Sequence, residues 1–222
     1  MDVLARRMLE RFNKAKTDRV MFEGLFEECF EYALPMRQSF FHESSGQRRD
    51  DKIFDETAVV GTQEFASRLQ SGLVPNFARW ADFIAGSEVP KEEEDEVNNS
   101  LDEVTEYVFE IIQNSNFGQV HESFMDLAVG TGVLLVEEGD AINPVRFNAI
   151  PLPSVYLDTG ADDKIDHVYR QRTLKYSDLP VAYPKAVFQE RTAKAIVSQP
   201  DSKVKLVEIV CRNYEKPNED KF

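Results

Sequence analysis

"FGQVHESFMDLAVGTGVLLVEE", residues 117 to 138, changes its period partway along. As far as Gly130 it reads as a helix closed by a glycine cap, and from Thr131 it becomes a short apolar run of the kind that forms a buried strand. Upstream the chain is written in helical spacing. Leu4, Met8, Phe12 and Ala15 fall on one side of residues 3–16 with basic residues on the other; Phe22, Leu25, Phe26, Cys29, Phe30 and Ala33 form a second stripe. Thr17-Asp18 is a good N-cap pair and Pro35 a stop, so two packed helices are expected. Residues 37–52 are polar and aperiodic and read as an exposed loop. "FDETA" then opens another helix, with Ala58, Thr62, Phe65, Ala66 and Leu69 as its buried stripe and Gly72 with Pro75 ending it. "WADFIAGS" (80–87) reads as a short strand. A longer acidic helix follows over 90–114, with Val97, Leu101, Val104, Val108 and Ile111 on one seam; with only two heptads, that seam reads as core. Downstream, "PVRFNAI", "SVYLD", "KIDHVYRQRTL" and "KVKLVEIVCRNY" read as strands, and 177–197 as helical. Helices first and a mostly antiparallel β meander later make the fold class α+β. The expected division is a mainly helical part, 1–116, and an α+β part, 117–222, within one structural unit.

Composition narrows the function. At 222 residues and 42% hydrophobic the chain can bury a real core. Forty acidic against 26 basic residues give a formal charge of −14, which argues against a broad nucleic-acid-binding face or a membrane surface. Cys29 and Cys211 lie far apart, giving neither a zinc spacing nor a disulfide framework, so a reducing compartment is the simplest reading. The start "MDVLARRMLERFNKAK" is charged and helical where a signal peptide would be apolar, so synthesis in the cytosol is expected. The abrupt end on "EKPNEDKF" after a strand suggests a fragment of a longer protein.

The chemical motifs are weak. "VYLDTGADD" (155–163) carries the Asp-Thr-Gly of an aspartic protease. That chemistry needs two carboxylates sharing a proton, a flap, and a later glycine-bearing segment; after Gly160 there is no glycine at all. Asp158 therefore reads as a turn residue, and a dimeric protease using it is the unfavoured alternative. "GTG" (130–132) lies between a helix and a strand, the reverse of the order of a phosphate loop, and reads as a cap. His121-Glu122 lacks a zinc helix's second histidine, and His42 and His167 have no ligand-like neighbours. As a calcium loop, "DTGADDKID" has Asp163 where the glycine belongs and Tyr169 where the glutamate belongs. No catalytic residue, cofactor or metal is indicated, and an enzyme is not expected.

The ordered text is more specific. Tyr32 to Pro35, with Leu34, forms a Tyr-x-Leu-Pro turn; Phe54, Asp55, Thr57 and Ala58 form a Phe-Asp-x-Thr-Ala helix start. Leu69 to Pro75 is a Leu-x-Ser-Gly-Leu-x-Pro-like helix end, followed by Trp80; Gly130 and Gly132 precede an apolar strand, and "VYRQRTL" (168–174) follows. In this order, over about residues 20–175, the chain resembles the portal, or head-to-tail connector, proteins of short-tailed bacteriophages. The resemblance implies the N-terminal part of such a protein, chiefly its wing, ending before the stem, clip and crown. It also implies a non-enzymatic virion protein, assembled in the host cytoplasm into a ring, usually of twelve copies, at one capsid vertex. Double-stranded DNA passes through that ring without sequence-specific binding, and the implied partners are further copies of the chain, capsid and scaffold proteins, terminase and a tail adaptor. Candidate subunit surfaces are the 37–52 loop with Phe40 and Phe41, and the polar side of the 90–114 helix. An acidic adaptor for a basic partner is the other non-enzymatic reading.

Overall fold

The structure, a computed structural model, describes residues 3–41, 53–160 and 162–212. Six α-helices and five strands lie among them: α1 Val3–Ala33, α2 Thr57–Leu73, α3 Glu94–Asn114, α4 Val120–Val129, β1 Leu134–Glu138, β2 Val145–Ala149, β3 Val155–Thr159, β4 Ile165–Lys175, α5 Leu179–Ala182, α6 Glu190–Ser198 and β5 Lys203–Cys211. The class is α+β, with every strand pairing antiparallel, but in two sheets: β1-β2 and β3-β4-β5. The chain divides into two compact units, one of Met1–Phe22 with Ser154–Phe222, the other of Glu23–Pro153.

In the first unit, β3, β4 and β5 form a meander whose register places Tyr156 opposite Tyr169 and Tyr169 opposite Ile209. These side chains share one face, because alternate strand residues point the same way. The first half of α1 covers that face with Phe12 and Ala15, and Phe12 meets the Tyr156 ring edge-on at 5.1 Å. Arg19 lies over the Tyr156 ring at 3.7 Å and donates to the Val155 carbonyl. On the opposite face Arg170 and Glu208 are cross-strand partners, and Arg172 donates to Glu208 at 2.8 Å. The Tyr183 hydroxyl also donates to Glu208. Burial alone would raise the Glu208 pKa; the bonds from Tyr183 and Arg172 and the two arginine charges outweigh it and hold the carboxyl below its ordinary value. The 177–197 segment is helical only in pieces. Pro184 has no amide to donate and forces Tyr183 out of helical geometry (φ −133°, ψ 69°), so α5 and α6 stay apart.

The second unit holds two apolar clusters. Phe30 and Leu34, from the end of α1 and the turn after it, pack with Leu152 and take in Phe40, Met125 and Val129. Phe117, Val120 and Phe147 form the other cluster, which joins α4 to the β1-β2 hairpin. Asn116 extends that hairpin: its amide donates to the Phe147 carbonyl at 2.7 Å and its oxygen accepts the Phe147 amide at 2.8 Å, standing in for a further strand.

Several sequence expectations change here. The expected helix pair at the start is one 31-residue helix, α1. Thr17 does not cap; its hydroxyl donates back to the Asn13 carbonyl at 2.9 Å, the bond available to a threonine inside a helix. "WADFIAGS" joins no sheet. Its Phe83 and Ala85 amides are taken by Thr105 Oγ1 (3.2 Å) and Asn98 Oδ1 (2.8 Å) of α3, so an extended segment lies on a helix. On α2 the buried positions are Ala66 and Gln70, while Ala58 is exposed and Phe65 is half exposed. On α3 they are Thr105 and Phe109, and Val104 is turned outward.

Candidate functional site

The motif residues fall at element ends. Asp55 Oδ1 accepts the Thr57 amide at 2.6 Å, satisfying the first amide of α2 from just outside the helix. The side-chain and amide bonds from Thr57 hold the Asp55 carboxyl below its ordinary value. Phe54 beside it is 96% exposed, Ala58 and Tyr32 are also exposed, and Leu69 is half-buried. Leu34 is buried, and its carbonyl accepts the Arg37 amide at 2.9 Å to form the turn that Pro35 predicts. α2 ends at Leu73, with the Val74 amide bonded to the Gln70 carbonyl and Pro75 following.

Gly130 and Gly132 are packing glycines. A Cβ on Gly132 would stand 2.2 Å from the Ser123 carbonyl oxygen and 3.1 Å from Leu127 Cβ, so β1 can leave α4 this tightly only without a side chain there. At Gly130 the obstacle is softer, a Phe26 ring carbon at 3.0 Å. Gly139 is a third close approach: a Cβ there would fall 1.8 Å from the Asn143 carbonyl, in the turn where Asp140 Oδ1 accepts the amides of Ile142 and Asn143; "EGDAINP" (138–144) is turn text in the sequence, and the turn joins β1 to β2 as that text implies.

Trp80 sits in a run of rings: Phe109 edge-on at 5.3 Å, Phe117 stacked at 6.3 Å, and Phe147 in turn 5.1 Å from Phe117. The indole is nonetheless 40% exposed. Of the two phenylalanines expected at an exposed loop, Phe40 stacks on Phe26 at 5.7 Å and meets Phe30 at a tilt at 5.2 Å. Glu27 pins that loop start, accepting from Ser39 Oγ and the Phe40 amide at 2.8 Å each. Phe41 stays 56% exposed, and residues 42–52, with His42, lie outside the described residues.

Asp158 is not a turn residue. It lies within β3 opposite His167, just before a bulge, and its carboxylate binds Arg11 of α1 at 2.9 and 3.0 Å. Arg11 also reaches His167 Nε2 at 3.0 Å. Because that nitrogen must accept, the imidazole proton sits on Nδ1 and points at Asp166, 2.6 Å away. Within the chain the group facing Asp158 is a guanidinium, so its carboxylate is one half of an ion pair. Asp162 to Lys164 do form the turn, with Asp163 in the left-handed region (φ 55°) and the Gly160 amide bonded to the Lys164 carbonyl. His121 Nδ1 meets Gln70 Oε1 at 2.9 Å, bridging α2 and α4. Among the described residues no cluster of His, Cys, Asp or Glu could hold a metal, and no helix is long and apolar enough to cross a membrane.

The second unit also buries an acid that the sequence did not flag. Asp126 is 3% exposed, with Arg37 Nε 3.0 Å from its Oδ1. Burial pushes its carboxyl up, against the pull of Arg37 and the Leu152 amide. Arg37 also pairs with Glu122 and donates to its carbonyl at 2.7 Å, which ties the turn after α1 to α4.

Asp55, Gly132, Trp80, Asp158 and Asp126 thus make contacts within the chain, at a helix start, a close approach, a ring stack and two ion pairs, whereas Phe54, Tyr32 and Phe41 stay exposed. No curated protein matches the chain. A family model, described as "Bacteriophage head to tail connecting protein", matches residues 5–221, nearly the whole sequence. The chain therefore belongs to the bacteriophage head-to-tail connecting proteins, structural proteins of the virion.

Proposed function

We propose that the chain forms the wing region of a portal ring, closed from a dozen or so copies at one capsid vertex, through which double-stranded DNA is packaged and ejected. Capsid and scaffold proteins contact the ring from outside; terminase and a tail adaptor dock in turn. Residues 1–116 and 117–222 contribute the helical and α+β parts of that wing, and the protein carries no catalysis of its own. The carrying observation is the family match over residues 5–221. Exposure of motif side chains supports it: Phe54, at the α2 start, is 96% exposed and Trp80 is 40% exposed in a single copy. Side chains this apolar gain from being covered by a neighbour. The net charge of −14 suits a collar through which DNA must slide without holding.

Native mass spectrometry with negative-stain imaging of the full reading frame tests the reading. Rings with a central channel and a mass near twelve subunits are expected. A species that remains a monomer or dimer at all concentrations overturns it.

A further inference from the structure

We infer that the outer face of α3 in one copy docks against the first turns of α1 in a second copy, a head-to-tail ionic contact repeated around the assembly. The inference rests on the ring reading above and names its contact surfaces.

Residues 92–110 hold nine acidic residues and no basic one. On α3, Glu96, Glu103 and Glu110 recur every seven residues on the side away from buried Thr105 and Phe109. All three are exposed, and none of their carboxylates has a partner among the described residues. The first turns of α1 reverse this pattern. In a chain of charge −14, residues 3–16 carry five basic residues and one acid, Glu10. Arg7 and Lys14, again seven apart, face away from buried Phe12 and Ala15 and are likewise exposed and unpaired among the described residues. Seven residues span about 10.5 Å of helix, so the two charge rows share one spacing and can meet side by side.

Each face also carries apolar surface to desolvate the contact. Tyr107, between Glu103 and Glu110, is 64% exposed; Val3, on the Arg7 side of α1, is 83% exposed. A heterologous contact, the kind that closes rings, needs two different and mutually complementary faces on the same chain, and these two qualify. A second copy fits the basic turns better than DNA does, since a few cations interrupted by Glu10 make a poor track for phosphates.

Charge reversal in the full-length connector tests the contact, read by sedimentation velocity and native mass spectrometry. Glu103→Lys with Glu110→Lys, or Arg7→Glu with Lys14→Glu, should each weaken association on the order of tenfold. The four changes together should restore it, and added salt should weaken the wild type. Far-UV circular dichroism monitors folding. If the lysine pair unfolds α3, Glu103→Gln with Glu110→Gln replaces it and should still weaken association. Wild-type rings that tolerate either reversal, or no recovery in the fourfold variant, overturn the contact while leaving the ring reading standing. So does an α1 reversal that spares ring formation and lowers affinity for a short DNA duplex. A wild type that stays monomeric removes the ring reading and this contact with it.

Discussion

Asp158 shows how a residue's neighbours decide its meaning. As a turn aspartate it could become asparagine at no cost; as Arg11's partner, 147 positions away in sequence, it cannot. Asp158→Asn should destabilise the chain by about 1–2 kcal/mol, the worth of a half-buried charged hydrogen bond, seen as a lower urea midpoint by circular dichroism. Gly132→Ala drives a methyl into the Ser123 carbonyl and should cost about 2 kcal/mol by overpacking. Fluorescence of the chain's one tryptophan, Trp80, would report that loss, since it lies in the same unit. Asp126 has its pKa raised by burial, so ionising it opposes folding. The stability it contributes is therefore complete below the unfolded value of 3.8 and disappears as pH rises through the higher folded value. Asp126→Asn should remove that term, so the stability of wild type minus variant should increase as pH falls from 7 toward 3.8. A flat difference across that range would contradict the assignment.

Among the elements, the extended 80–87 segment and its aromatic anchor carry the clearest prediction. Trp80→Ala removes contacts with Phe109 and Phe117 but from a partly exposed ring, so the expected loss is about 2 kcal/mol, below that of a fully buried tryptophan. A thermal melt followed by circular dichroism checks it, and an unchanged midpoint would mean that the ring stack contributes little. This segment also marks where sequence reading stops. The α2 start was legible because Asp55 and Thr57 are two residues apart and their bond is local. The helix-to-strand change at 130–133 was legible from the change of period, but the expected burial was not met: no residue of β1 is buried and Val136 is 57% exposed, because β1 pairs with only one strand, β2. Thr17 was not legible, since its hydroxyl can cap a new helix or bond back within an old one, and neighbouring text does not choose. Nor was the 80–87 segment: its β-like composition is real, but Thr105 and Asn98 satisfy amides that a strand would otherwise have claimed. On α2, buried Gln70 replaces an expected apolar position because His121 and Asn76 complete its hydrogen bonds, and such partners are invisible to a hydrophobicity pattern.

For the whole molecule, the family was readable from the order of weak motifs, because a helix start, a helix end and a glycine pair must appear in sequence for the same chain path to form. The pairings that join distant segments, Arg11 with Asp158 and Arg37 with Asp126, were not, because charges pair through space. The composition of the first unit, Met1–Phe22 with Ser154–Phe222, sets a schedule for synthesis. Phe12 leaves the ribosome 157 positions ahead of Tyr169, the side chain it must pack against. At about 5–20 residues per second that is a wait of roughly 8–30 s, during which Glu23–Pro153 is made without interruption and can fold. Stalled nascent chains should thus gain protease resistance over 23–153 first, leaving the basic first turns of α1 open to chaperones until the last strand emerges.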